Sequence, residues 1–263
     1  TAWASTTKAF HRPGPAAEDF EAVNCLRDFA REARSFIDTR AKDPDKPFFL
    51  YLPLTSPHTP IVPSRKWQGK SSLGKYGDFL METDWVVGQV LQALDRHRLA
   101  KDTIVIFATD NGCSPAAKIP ALVAKGHKPN ADWRGHKADI FEGGHRVPFL
   151  VRWPGKVAAG STSGQTICTA DLFATVADVL GKSETIPANA AEDSFSFLPA
   201  LLGQAQANAG AAAGELACRG GGGMAGFGRW VRLLALTLAR PTRWWRLWSP
   251  AFRWCWRTAR GGG

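Results

Sequence analysis

The sequence predicts an α/β fold, a sheet flanked by helices, on three observations. Short apolar runs at 47–53, 103–109 and 147–153 read as strands, longer stretches carry apolar residues at helical spacing, and the two kinds alternate along the chain.

The elements follow in order. Phe20, Val23, Leu26, Phe29, Ala33, Phe36 and Ile37 recur three to four residues apart, with Glu18 and Asp19 where a helix start favours negative charge, which predicts an amphipathic helix over 17–40. After a charged stretch at 42–47 comes PFFLYLP, an aromatic-rich run suited to a strand buried on both faces. A loop with Pro53, Pro57, Pro60 and Pro63 leads into a long helix defined by Tyr76, Phe79, Leu80, Val86, Val87, Val90, Leu91 and Leu94. That helix ends at the Arg/His cluster 96–98, and TIVIFAT gives a second buried strand. A polar, glycine-containing stretch over 111–146 has the length of a functional loop or lid. VPFLVRW then forms the third strand, and Thr169 is the expected N-cap of a helix that places Leu172, Phe173, Val176 and Leu180 on one face and stops at Gly181.

Composition bounds what this fold can be. The chain has 263 residues, 44% hydrophobic and 21% charged, enough for a sizeable core and, by default, one large domain. No apolar run reaches the roughly 18 to 20 residues that span a bilayer, and the opening at Thr1 shows no targeting signal. A chain that opens on Thr1 is expected to continue upstream. The five cysteines are scattered, with no CxxC or zinc spacing, so neither a disulfide framework nor a thiolate metal site is supported.

The net charge of +10 would raise nucleic acid as a partner, but nine of the 33 basic residues lie beyond Leu216, where no acidic residue occurs. Removing those nine leaves 24 basic against 23 acidic residues, so the body is close to neutral and no nucleic-acid partner is expected for it. Six of the eleven tryptophans also lie in this tail. A cationic Arg/Trp segment suits membranes or nucleic acid. The favoured reading is different, because no helical or alternating period holds across the segment. Its Trp, Arg, Gly, Ala and Pro are what a shifted reading frame in GC-rich DNA produces. The expected division is therefore a partial catalytic domain over 1–203 and a low-complexity, disordered or frame-shifted tail over 204–263.

Three segments carry chemistry. Asp110-Asn111-Gly112 follows TIVIFAT directly, and the carboxyl ends of strands in an open α/β sheet are where ligands bind. A carboxylate and an amide oxygen are hard donors suited to calcium or magnesium. Read alone, however, Asp-Asn-Gly is an ordinary turn. His58, in SPHTP after PFFLYLP, carries an imidazole, the side chain suited to give a proton to a leaving group or to bind an anion. Lys137, in RGHKADIFEGGHRVP, is a compact charge suited to sulfate or phosphate, and His136, His145 and Arg146 are weaker candidates for the same role.

The order PFFLYLPLTSPHTPIVPS, DFLMETDWVVGQVLQAL, TIVIFATDNG and GHKADIFEGGHRVPFLVRWPGKV resembles the sulfatase family, most closely its arylsulfatase-like members, over residues 40–203. The resemblance implies an alkaline-phosphatase-like α/β fold, incomplete in this chain, and hydrolysis of sulfate esters of small molecules or glycans with one bound calcium ion. It implies that Asp110 and Asn111 are calcium ligands, that His58 lies near the sulfate and the leaving-group oxygen, and that Lys137 contacts the sulfate. It also implies a periplasmic or secreted location, on which the sequence itself is silent. The family makes its nucleophile, formylglycine, within a C/S-x-P-S-R motif and completes its metal shell with an early Asp-Asp pair. Neither is present; Ile61 to Arg65 reads IVPSR, with Ile61 where the oxidised residue belongs, and it is read as loop. Two alternatives stand beside the sulfatase reading: a phosphatase or phosphodiesterase of the same superfamily, and a non-catalytic protein that binds through its cationic tail.

Overall fold

A computed structural model describes residues 17–204 and the backbone of residues 232–237. Helix α1 (Cys25–Arg40) forms where Leu26, Ala30, Ala33 and Ile37 recur on one face, and all four are buried. Its start lies later than the periodicity suggests: a 3-10 turn at Ala22–Asn24 precedes it and Phe20 is 46% exposed. The helix persists where it has a partner, since Leu26 and Ala30 pack against Phe79 and Val86 of helix α2 (Lys75–Arg96).

Strand β1 (Phe49–Pro53) and strand β2 (Thr103–Ala108) are joined through α2, and both run parallel to a strand that lies between them. Strand β3 (Phe149–Arg152) pairs antiparallel with β2 at the opposite edge. The layers follow from alternation along β2. Val105 enters a core with Ala33 and Ile37 of α1, Val87, Val90, Leu91 and Leu94 of α2, and Leu52 of β1. Ile104 and Ile106 point the other way, into a core with Val151 and Trp153 and with Val179, Phe197, Leu198 and Leu201. That second layer comprises helix α5 (Asp171–Val179) and helix α6 (Leu198–Leu201). Strand β2 is therefore buried on both faces, as its continuous apolar run requires.

Strand β1 departs from the same expectation. Phe49 and Tyr51 are each 55% exposed, because β1 is an edge strand and the second core is built on β2 and β3. Helix α5 departs too. It begins at Asp171 with no side-chain cap, and Asp171 instead accepts the backbone N–H groups of Cys168 and Phe195 at 2.8 and 2.9 Å. Leu172 and Val176 pack on the core as expected, but Phe173 and Leu180 are exposed, and Thr175 and Val179 are buried in their place. Gly181, at φ +62°, ends the helix in the left-handed conformation glycine favours.

The strand between β1 and β2 comes from the tail. Strand β4 (Arg232–Thr237) gives the sheet order β1-β4-β2-β3, with Thr237 level with both Pro53 and Ala108. The sequence reading placed no element there. The physical reason for one is geometric: the α2 layer holds β1 and β2 two strand spacings apart, about 10 Å, and the gap accepts an apolar parallel strand such as RLLALT. The rest of the tail, and its reading as disordered or frame-shifted, lies outside the described residues.

Among the described residues Cys25, Cys113 and Cys168 form no disulfide, and no helix is long and apolar enough to cross a membrane.

Candidate functional site

Because β1 and β2 are parallel and their ends are level, the loop carrying His58 and the Asp110-Asn111-Gly112 turn leave the same edge of the sheet, one strand apart. Thr109, fully buried, donates from Oγ1 to the Asn111 carbonyl oxygen at 3.4 Å and so folds the turn back on the strand end.

The long stretch after β2 returns to this turn. It runs through helix α3 (Ile119–Ala124) to helix α4 (Glu142–His145). The Gly112 N–H donates to the Gly144 carbonyl at 2.8 Å, and the Lys137 N–H donates to the Cys113 carbonyl at 3.0 Å. The contact is backbone on backbone. A Cβ on Gly112 would fall on the Gly143 carbonyl oxygen, one on Gly143 on the Gly135 carbonyl, and one on Gly144 on the Asp139 carbonyl. Glycine is required here by close approach, since none of the three has a positive φ. The paired glycines of EGGH thus bring the Lys137 loop to the Asp110-Asn111-Gly112 turn.

The side chains divide into committed and uncommitted. His136 donates from Nδ1 to the Lys137 carbonyl at 2.9 Å, and His145 donates from Nε2 to the Ile140 carbonyl at 2.7 Å. Arg146 pairs with Glu142 at 2.6 Å and stacks on Trp133 with its guanidinium 4.1 Å from the ring centre. These three weaker candidates are occupied in holding the loop. The side chains of Asp110, Asn111 and Lys137 make no hydrogen bond or ion pair with another described residue, although the backbone beneath them is fixed. Elsewhere the buried carboxylates are consumed by the fold: Asp78 accepts the Gly69 and Ser71 N–H groups, and Glu82 accepts that of Ser64.

His58 is exposed on a loop pinned at both ends to α2. The Ser56 hydroxyl donates to Thr83 Oγ1 at 2.7 Å on one side, since the Thr83 proton goes to the Phe79 carbonyl, and the Ser64 N–H meets Glu82 at 2.8 Å on the other. The bonds Ser56-Pro57 and Thr59-Pro60 that flank the histidine are both cis. Its Nδ1 lies 2.8 Å from the Thr59 carbonyl, which can only accept, so Nδ1 carries the proton and Nε2 is left free to exchange one. His58 shares the sheet edge with Asp110 and Lys137, and no hydrogen bond ties it to either. Ile61 packs inward beside Tyr76 and Phe79, so IVPSR is loop, as read.

As a metal site the donor set fits in part. Asp110 and Asn111 offer two hard oxygens on a fixed turn, against the six to eight, roughly, that calcium takes. No group of three or more His, Cys, Asp or Glu able to hold a metal occurs among the described residues.

One half-buried imidazole on the stretch between α3 and α4 is perturbed. Burial holds the His127 imidazole below its ordinary pKa of 6.5, and its buried Nε2 has no hydrogen-bond partner among the described residues. In the unfolded chain His127 protonates near 6.5; in the fold it resists protonation. The unfolded state therefore binds more protons as pH falls below 6.5, so the contribution of this group is present above that pH and lost below it. Urea unfolding at about pH 7.5 and about pH 5.5 should show a fall in stability that His127→Leu reduces. An equal fall in both proteins would refute the assignment.

Residues 21–182 match the family model described as Sulfatase. The chain belongs to the sulfatase family. It is 37% identical over 176 residues to an N-acetylgalactosamine-6-O-sulfatase of Bacteroides thetaiotaomicron, covering 66% of this chain and 33% of that protein. It is 36% identical over 178 residues to human steryl-sulfatase, covering 66% of this chain and 29% of the relative. A solved structure described under the metabolism of multiple glycosaminoglycans by Bacteroides thetaiotaomicron superposes with a TM-score of 0.63 at 35% identity, over 70% of this chain and 38% of the other. This sulfatase chain thus spans about a third of the length of the curated relatives it matches. Its helix-flanked sheet is the corresponding part of the alkaline-phosphatase-like fold.

Sequence reasoning missed one residue of this site. Asn130, in the aperiodic stretch HKPNADW, is 6% exposed and bonds to both loops, and nothing in its local sequence marks it.

Proposed function

We propose that this chain is the middle and later part of a calcium-dependent sulfuric ester hydrolase whose formylglycine nucleophile lies outside it. The observation that carries the reading is the pairing of the Asp110-Asn111 turn with the Lys137 loop through backbone hydrogen bonds, with none of the three side chains bonded to another described residue. Asp110 and Asn111 would hold part of the shell of a calcium ion, which when bound would offset negative charge on the sulfate. Lys137 places an ammonium beside that turn, where it binds a sulfate oxygen and stabilises charge that grows during transfer. His58 holds its proton at Nδ1, so a second proton acquired at Nε2 is available to the departing alcohol or phenol. The relatives are named for sulfated sugar and steryl substrates, which supports sulfuryl over phosphoryl transfer and a sulfate ester of a glycan or small molecule as substrate.

The test is hydrolysis of an aryl sulfate. The 263-residue chain is expected to release no phenol, whereas the same chain joined to a preceding sulfatase segment that carries C/S-x-P-S-R is expected to turn over, and to lose turnover on Asp110→Ala. Robust hydrolysis by the isolated chain would overturn the placement of the nucleophile. Full activity of the joined Asp110→Ala protein would overturn the metal assignment.

A further inference from the structure

The two loops of the site are bridged by one side chain that the chemistry above leaves unused. Asn130 lies on the stretch between α3 and α4 and is 6% exposed. Its Oδ1 accepts the Cys113 N–H at 2.9 Å, and its Nδ2 donates to the Gly135 carbonyl at 3.0 Å. The Cys113 carbonyl in turn accepts the Lys137 N–H at 3.0 Å. A circuit of three hydrogen bonds therefore links a point two residues after Asn111 with points two residues before Lys137 and at Lys137 itself. The turn also packs tightly against this amide, since a Cβ on Gly112 would lie 3.3 Å from Oδ1.

We propose that Asn130 is a positioning residue that sets the spacing between the oxygen pair Asp110–Asn111 and the Lys137 ammonium. The inference rests on the sulfatase reading of those three residues. Asn130 touches none of their side chains and acts through the main chain of Cys113 and Gly135. Its chemistry is specific, because the bridge needs one acceptor and one donor on a single rigid plane. Leucine fills a similar volume but leaves a buried N–H and a carbonyl unpaired. Aspartate keeps the acceptor for Cys113 and turns a second acceptor toward the Gly135 carbonyl, so it bridges only when its carboxyl is protonated.

The experiment uses the full 263-residue chain, isotopically labelled, with amide exchange protection and calcium titration followed by NMR. Thr175→Ala is the control. Thr175 is 2% exposed, donates to the Asp171 carbonyl at 2.7 Å and accepts the Phe197 N–H at 3.0 Å, so its loss weakens the fold away from the site. Asn130→Leu is expected to lower protection at Cys113 and Lys137 about tenfold below the control. It is also expected to raise the calcium concentration that half-shifts the Asn111 side-chain amide several-fold, whereas Thr175→Ala leaves that concentration unchanged. Asn130→Asp should lose protection at neutral pH and recover part of it near about pH 4, where the carboxyl protonates. Protection at Cys113 and Lys137 equal to the control overturns the proposal. So does an unchanged calcium midpoint in Asn130→Leu. If the unsubstituted chain gives no saturable calcium response, the metal reading of the turn fails, and the exchange measurement alone still decides whether Asn130 couples the loops.

Discussion

Replacing Gly112 with alanine is expected to destabilise the chain by about 3 kcal/mol and to part the two loops of the site. The added Cβ would occupy the position of the Gly143 carbonyl oxygen, and that carbonyl belongs to a backbone that itself abuts the Gly135 carbonyl. No flexible side-chain end is available to give way, so relief requires one whole loop to move and the bond from the Gly112 N–H to Gly144 to open. Gly88→Ala provides the contrast. Gly88 lies in α2 with nothing near its missing Cβ, so alanine there is expected to add roughly 0.5 to 1 kcal/mol through helix propensity. Urea unfolding of both variants measures the difference; a Gly112→Ala protein as stable as the unsubstituted chain would disprove the close packing.

Replacing Lys137 with alanine in the joined, nucleophile-bearing enzyme is expected to lower kcat by about 10² to 10³, the usual loss when one group that stabilises transition-state charge is removed. The fold should be nearly indifferent. The Lys137 side chain makes no described hydrogen bond or ion pair, and its backbone N–H, which reaches the Cys113 carbonyl, is retained in alanine. Stability is therefore expected to change by less than about 0.5 kcal/mol. Steady-state kinetics on an aryl sulfate, with thermal unfolding alongside, separates the two effects. A kcat within about threefold of the unsubstituted enzyme would remove Lys137 from the proposed chemistry.

The Asp110-Asn111-Gly112 turn shows how much of the candidate site was legible. Asp110 and Asn111 announce hard-oxygen chemistry by residue type, and TIVIFAT before them announces a strand end, both of which are local facts. That Lys137 belongs to the same site is not local. It depends on three glycines with no side chain between two backbones, and a sequence shows only that glycines are there. Asn130 is the sharper case, for its role comes wholly from the Cys113 N–H and the Gly135 carbonyl that folding brings to it. The opposite holds for His136, His145 and Arg146. Their types suggested anion binding, and their geometry shows them hydrogen-bonded to loop carbonyls or ion-paired with Glu142.

By itself the sequence determined the types of β1, β2, β3, α1, α2 and α5, the buried character of β2, the helical faces of α1 and α2, and the family, because each of these rests on local periodicity or on motifs in order. Tertiary structure alone decided which faces of β1 and α5 are covered, since coverage depends on where neighbouring layers end. It decided that β3 runs antiparallel and that Arg232–Thr237 fills the gap between β1 and β2. It also decided that the Asp110-Asn111 turn and Lys137 meet while the loop of His58 stands one strand away. Chain order cannot specify such distances; they arise from glycine contacts and from strand spacing.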